Sequence, residues 1–94
     1  MSLRLKMNDV PYDVRPMICE LLRHEGYESV HMGYQSNYLA DDFVYVVIAR
    51  LTEPVDEYCY AVYTYYHDVK RLKQPSNDLT YGEALIEMGE RISE

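Results

Sequence analysis

The central segment from Phe43 to Tyr66 constrains the fold more than any other part of the chain. It reads FVYVVIARL, then TEPVDE, then YCYAVYTYY. The two outer runs are dense in β-branched and aromatic residues, the composition that favours strands. Pro54, in the polar run between them, presets the backbone angle φ for the second position of a turn. The sequence therefore predicts an antiparallel hairpin with its turn at residues 53–56.

The two predicted strands are apolar on both faces. Side chains alternate across a strand, so a strand with one wet face should alternate apolar and polar residues. A four-residue turn pairs Leu51 with Tyr58, and this register gathers four of the six hairpin tyrosines on one face. A bare apolar face of that size is unusual in a monomer, so we expect a homodimer or a docked partner to cover it. The expected aromatic interface comprises Tyr45, Tyr58, Tyr60 and Tyr66.

One helix is predicted before the hairpin and one after it. Apolar residues at helical spacing indicate a helix over about 14–25 that stops at Gly26. Thr80 and Glu83 have the spacing of a capping box, and the apolar stripe that follows indicates a second helix over about 81–92.

The remaining segments complete a small single domain spanning residues 1–94. Alternating apolar residues predict a strand at 28–34. Residues 1–12 lack periodicity and are interpreted as an irregular lead-in, and no regular structure is predicted between Tyr66 and Thr80. The order α-β-β-β-α favours an α+β two-layer sandwich, in which a three-stranded antiparallel sheet carries both helices on one face and the aromatic residues on the other.

Charge and cysteine content restrict the functional classes. The chain has 94 residues and a formal net charge of −7, which opposes direct binding to nucleic acid or to an anionic membrane. Two cysteines are too few for a disulfide scaffold, and no signal peptide or apolar run of ~20 residues is present. We therefore expect a cytoplasmic protein that does not span a membrane.

No group of residues carries a recognisable catalytic or metal-binding pattern. The three histidines, His24, His31 and His67, lack metal-ligand spacing. Cys19 and Cys59 are interpreted as buried, inert thiols rather than nucleophiles. We therefore predict a protein that is not an enzyme and that needs no metal or cofactor.

Acidic residues are the stronger candidates for a binding site. Four glutamates recur at intervals of four, three and four residues on the last predicted helix and form one stripe, which resembles the spacing of phosphates in nucleic acid. Five further acids lie at predicted strand ends. The expected partner-binding residues are Asp41, Asp42, Glu53, Asp56, Glu57, Glu83, Glu87, Glu90 and Glu94.

These features favour a non-enzymatic binding protein. Small size, strong acidity and many tyrosines suit an inhibitor or adaptor that occupies a basic, often nucleic-acid-binding, surface of a larger protein. Bacteriophage proteins that inhibit CRISPR or restriction systems are often of this type, an analogy at the level of class alone. The alternative is a ligand-binding domain that holds a nucleotide or another planar molecule against the tyrosines.

Overall fold

The computed structural model describes residues 14–34 and 44–93. Within them, two helices and four strands confirm the α+β class, but the sheet has four strands instead of the predicted three. The strands form one antiparallel sheet in the order β1-β2-β3-β4. The elements are α1 (Arg15–His24), β1 (Tyr27–Tyr34), β2 (Val44–Leu51), β3 (Tyr60–Tyr66), β4 (Arg71–Leu79) and α2 (Tyr81–Ser93). The predicted lead-in at 1–12 lies outside the described residues.

The ends of both helices follow local sequence signals. Pro16 lies in the first turn of α1, where its missing N–H costs no helical hydrogen bond. Gly26 ends α1 with φ of +83°, a conformation that glycine adopts without steric cost. At α2 the predicted capping box is present: Glu83 N–H donates to Thr80 Oγ1 at 3.2 Å, and Thr80 N–H donates to Glu83 Oε1 at 2.9 Å.

The hairpin between β2 and β3 is present, but its register differs by one residue from the prediction. Arg50 pairs with Tyr60, and Leu51 N–H donates to Cys59 O at 2.9 Å. The backbone N–H of Tyr58 donates to Asp56 Oδ1 at 2.9 Å, so Tyr58 belongs to the loop instead of the strand pair. The loop is therefore longer than four residues.

The two helices lie on opposite faces of the sheet. Ile18 and Leu22 of α1 pack in one buried cluster with Tyr45, Val47 and Ala49 of β2. The other cluster joins α2 to the intervening β2 residues, which point to the opposite face. The expectation that one face carries both helices is therefore wrong.

The four tyrosines of the expected interface consequently do not form one surface. Tyr45 is fully buried beneath α1, whereas Tyr60 packs at the edge of the cluster beneath α2. Tyr58 is exposed in the loop and Tyr66 is half-buried at the far end of β3. The homodimer stays a prediction, but its premise of an uncovered apolar face does not hold, because each face of the sheet carries a helix.

β4 lies in a segment for which no regular structure is predicted from the sequence. Its pairing with β3 shifts register twice, and Gln74 and Asp78, at φ of +54° and +59°, each lie within one of the shifted intervals. Each shift adds one residue on the β4 side, as a β-bulge does. Pro75 is tolerated because β4 is an edge strand with a bulge at this point.

The packing predicts that two neighbouring leucines differ in their contribution to stability. Leu22 has no exposed surface, whereas Leu21 is half-buried at the margin of the same cluster. Leu22→Ala should lower the free energy of unfolding by about 2–5 kcal/mol through lost burial and a residual cavity, and Leu21→Ala by less than half of that. Urea unfolding of the two variants measures the difference, and equal losses would contradict the packing of α1.

Candidate functional site

The β2–β3 loop projects a group of charged and apolar side chains into solvent. Residues 52–58 are all exposed. Val55 is 92% exposed and Tyr58 51%, although both are large apolar side chains that usually pack. Glu53, Asp56 and Glu57 lie in the same seven residues, which contain no lysine or arginine. The loop therefore combines acidic and apolar groups that the fold itself does not use for packing.

The topology brings four more carboxylates to the same end of the sheet. The C-terminal end of α1 is held there because Thr52 N–H donates to Gly26 O at 3.1 Å, so Glu25 lies beside the loop. Glu28 pairs with Arg50 at the end of β2. β4 ends where Leu79 pairs with Tyr60, and α2 starts immediately afterwards. We call the resulting set the acidic pole; it consists of Glu25, Glu28, Glu53, Asp56, Glu57, Asp78 and Glu83.

The charges of two of these carboxylates, Glu25 and Asp78, affect tyrosines that are wholly or partly buried. The pKa of Tyr27 is raised first by burial and then by the nearby charges of Asp78 and Glu25. The pKa of Tyr63 is raised to about 12, again by burial first, and then by Tyr27 and Glu25. Negative charge near a phenol opposes its ionisation. Side chains from α1 and β4 therefore act together at this end of the molecule.

The arginines on the neighbouring elements are already paired. Arg50 Nη1 lies 3.4 Å from Glu28 Oε1, and Arg23 Nη1 lies 3.2 Å from Glu20 Oε2. Lys70 ends the β3–β4 turn, and Arg71 and Lys73 lie at the start of β4. These three cations therefore lie at the end of the sheet opposite to the acidic pole, in the same segment as Asp68.

The structure divides the predicted acidic residues into separate groups. Glu53, Asp56, Glu57 and Glu83 belong to the acidic pole. Glu90 is exposed further along α2. Asp41, Asp42 and Glu94 lie outside the described residues. Three members of the acidic pole are absent from the predicted site, because no spacing along the chain relates them to the β2–β3 loop: Glu25, Glu28 and Asp78.

Glu87 does not belong to a solvated stripe. Its Oε2 accepts a hydrogen bond from Arg91 Nε at 2.8 Å and one from the Ser76 hydroxyl at 3.3 Å. Arg91 also donates to Thr64 Oγ1 at 3.1 Å and to Ser76 Oγ at 2.9 Å. The side chain of Arg91 is only 11% exposed. This network connects α2 to β3 and β4 and uses the charge of Glu87 inside the fold.

An open groove of about 650 Å³ lies between the β2–β3 loop and the start of α2. Val55, Asp56 and Glu57 line one side of it, and Tyr60 and Tyr81 contribute aromatic surface. The centroids of these two rings are 5.3 Å apart with a tilt of 51°. Rings at this distance contact each other directly, so no planar molecule fits between them. The groove offers the outer surfaces of the rings beside two carboxylates.

The histidines and cysteines contact residues of the fold. His31 Nε2 lies 2.8 Å from the Tyr81 hydroxyl and His67 Nδ1 lies 3.2 Å from that of Tyr65. Cys19 Sγ is 3.5 Å from Ser29 Oγ. Among residues 14–34 and 44–93, no three histidine, cysteine or acidic side chains are arranged to hold a metal ion.

Comparison with known proteins gives no family for this chain. No protein-family model matches it, and no curated protein or solved structure matches it either. In the part of the chain that the structure describes, neither helix is long and apolar enough to cross a membrane.

The network around Glu87 predicts unequal effects for two glutamates of α2. Glu87→Gln removes the charge that Arg91 pairs with in a half-buried site and should cost about 1 kcal/mol of stability. Glu90→Gln makes the same chemical change at an exposed position and should stay within about 0.5 kcal/mol of the wild type. Thermal or urea unfolding compares them, and a cost for Glu90→Gln alone would argue against the network.

The raised pKa of Tyr63 predicts a loss of stability in alkali. In the unfolded chain this phenol titrates near 10, and in the folded chain at about 12. Between these values the unfolded chain binds fewer protons, so stability falls as pH rises, by about 1 kcal/mol per pH unit from this group. Urea midpoints at pH 8 and pH 11 measure the loss. Tyr63→Phe should reduce it, and an unchanged loss would mean that other groups cause it.

Proposed function

We propose that this chain is a non-enzymatic binding protein whose acidic pole occupies a basic surface on a larger protein. The observation that supports the proposal is the convergence of seven carboxylates from α1, β1, the β2–β3 loop, β4 and α2 at one end of the sheet. Like charges gathered at one end of a small fold oppose folding, and a function that needs them explains why they coincide.

The exposure of the β2–β3 loop supports the same proposal. Interfaces combine a desolvated apolar centre with a charged rim. Val55 and Tyr58 provide exposed apolar surface within the carboxylates of the acidic pole. A partner that contributes arginine or lysine around an apolar depression would complement both features, because complementary potentials increase the association rate and exclude wrong partners.

The class of partner follows from the charge. Basic surfaces of this kind on large proteins commonly bind nucleic acid, so an acidic protein that covers one acts as an inhibitor or as an adaptor. Inhibition of a nuclease, as in bacteriophage proteins that counter CRISPR or restriction defence, is the form of this function that we favour.

Two double variants with equal charge changes test the proposal. Glu53→Gln with Glu57→Gln alters the acidic pole, whereas Asp68→Asn with Glu90→Gln alters exposed acids outside it. A partner is first captured on the immobilised wild-type chain from a lysate of the organism that encodes it, and its affinity for each variant is then measured across a salt series. We expect the pole variant to bind about ten-fold more weakly and the control to bind within about two-fold of the wild type.

Salt dependence provides a second readout. Binding of the wild type should weaken steeply as ionic strength rises through 0.15 M, where the Debye length is ~8 Å, and the pole variant should show a shallower slope. Equal losses in both double variants would mean that only net charge matters. A captured partner without a basic surface, or one that binds all variants alike, would reject the proposal.

A further inference from the structure

We propose that the groove between the β2–β3 loop and α2 is a receptor for an arginine side chain, presented among apolar residues by a segment of the partner protein. This inference rests on the proposed function and names the side chain of the partner that one part of the acidic pole binds. The groove differs from the rest of the pole because it combines carboxylates with aromatic surface and an apolar wall.

The chemistry of the groove favours a cation that is also flat. Asp56 and Glu57 line it, and the Asp56 carboxylate uses Oδ1 for the Tyr58 N–H, which leaves its second oxygen for a ligand. The faces of Tyr60 and Tyr81 attract cations through their π electrons. A guanidinium group stacks on an aromatic face and also donates two parallel hydrogen bonds to a carboxylate. Arginine therefore uses both features of this groove at once.

The positive groups near the groove are already engaged. Arg50 contributes to its lining, but its guanidinium lies against Glu28 at 3.4 Å. The N-terminus of α2 would favour an anion, but the capping box brings the Glu83 carboxylate to this turn and uses the N–H groups of Thr80 and Glu83. The carboxylates of the loop therefore face no unpaired arginine or lysine among the lining residues.

The aromatic side chains are held in place before any ligand binds. The Tyr81 hydroxyl lies 2.8 Å from His31 Nε2, and the ring of Tyr81 contacts those of His31 and Tyr60 at centroid distances of 5.9 and 5.3 Å. Tyr81 nevertheless remains 41% exposed. A fixed and exposed ring reduces the entropy lost on binding. Val55 on the facing loop provides apolar surface for the residues that flank the arginine.

The probe is the capped peptide acetyl-Ala-Leu-Arg-Leu-Ala-amide, titrated into the 15N-labelled full chain and followed by NMR. A second peptide carries citrulline, which has the shape of arginine without its charge. We expect the arginine peptide to shift the amide signals of Val55, Tyr81 and Gly82, and the citrulline peptide to bind at least about ten-fold more weakly. AMP serves as the planar anionic probe and should leave these signals unchanged.

Matched variants separate the groove from the acidic pole as a whole. Glu57 lines the groove and Glu53 lies in the same loop outside it, so Glu57→Lys should abolish the shifts, whereas Glu53→Lys, with the same charge change, should only weaken them. Tyr81→Ala should weaken binding about two- to five-fold. Tyr81→Phe keeps the aromatic ring and should bind the arginine peptide like the wild type. Tyr58→Ala changes a residue that does not line the groove and should also bind it like the wild type.

The outcomes distinguish failure of the groove from failure of the proposed function. Equal effects of the two lysine variants, or signal shifts spread evenly around the carboxylates, would overturn the assignment of the groove as an arginine receptor. Either result would leave the proposal of partner binding by the acidic pole intact. Absence of shifts with the arginine peptide would also overturn it. Shifts with AMP instead would reassign the groove to a planar anion. If Tyr81→Ala does not fold, the comparison of the two lysine variants still decides.

Discussion

The fold depends on two central strands that are buried on both of their faces. Residues 44–49 of β2 and 61–65 of β3 are all buried, so neither strand can lie at an edge or border solvent on one side. Each face needs its own helix, and each flank needs another strand. The positions of α1, α2, β1 and β4 follow from this one requirement, which divides the core into two clusters on either side of a shared backbone.

The need to cover both faces of β2 and β3 could be predicted from composition, but the arrangement of helices and strands that covers them could not. The unbroken apolar run at 44–48 indicates that both faces are covered, and the capping box and Gly26 predict the helix ends. The register could not be predicted from turn composition, since the loop is longer than four residues and Tyr58 N–H donates to Asp56 Oδ1 within it. A strand as polar as β4, with Pro75 and two residues of positive φ, carries no periodic signal. A sheet can carry two helices on one face or one on each face, and the spacing of apolar residues along the chain does not decide between these arrangements.

The candidate site was predictable only as a kind of chemistry. Net charge and the acidic loop between the hairpin strands predict carboxylates as binding groups. Glu53, Asp56, Glu57 and Glu83 lie at the same end of the sheet, and their role in binding stays a prediction. Glu25 and Asp78 are 53 positions apart in the sequence. Both lie near Tyr27 only because α1 and β4 finish at the same end of the sheet. Helical spacing wrongly placed Glu87 on a solvated acidic stripe. The spacing does not show that Arg91 and Ser76 donate hydrogen bonds to this one glutamate in a half-buried site.

In the proposed function, the charges of the acidic pole that attract a partner also oppose the stability of the free fold. The carboxylates of the pole repel one another in the free protein, and the charges of Glu25 and Asp78 raise the pKa of the half-buried Tyr27. Salt screens this repulsion, and so favours the free folded chain, while it also screens the attraction to a basic partner. A bound cation relieves the repulsion directly, which adds to the free energy of association. Burial on both faces of β2 and β3 supplies the stability that allows a chain of this size to keep so many like charges at one end.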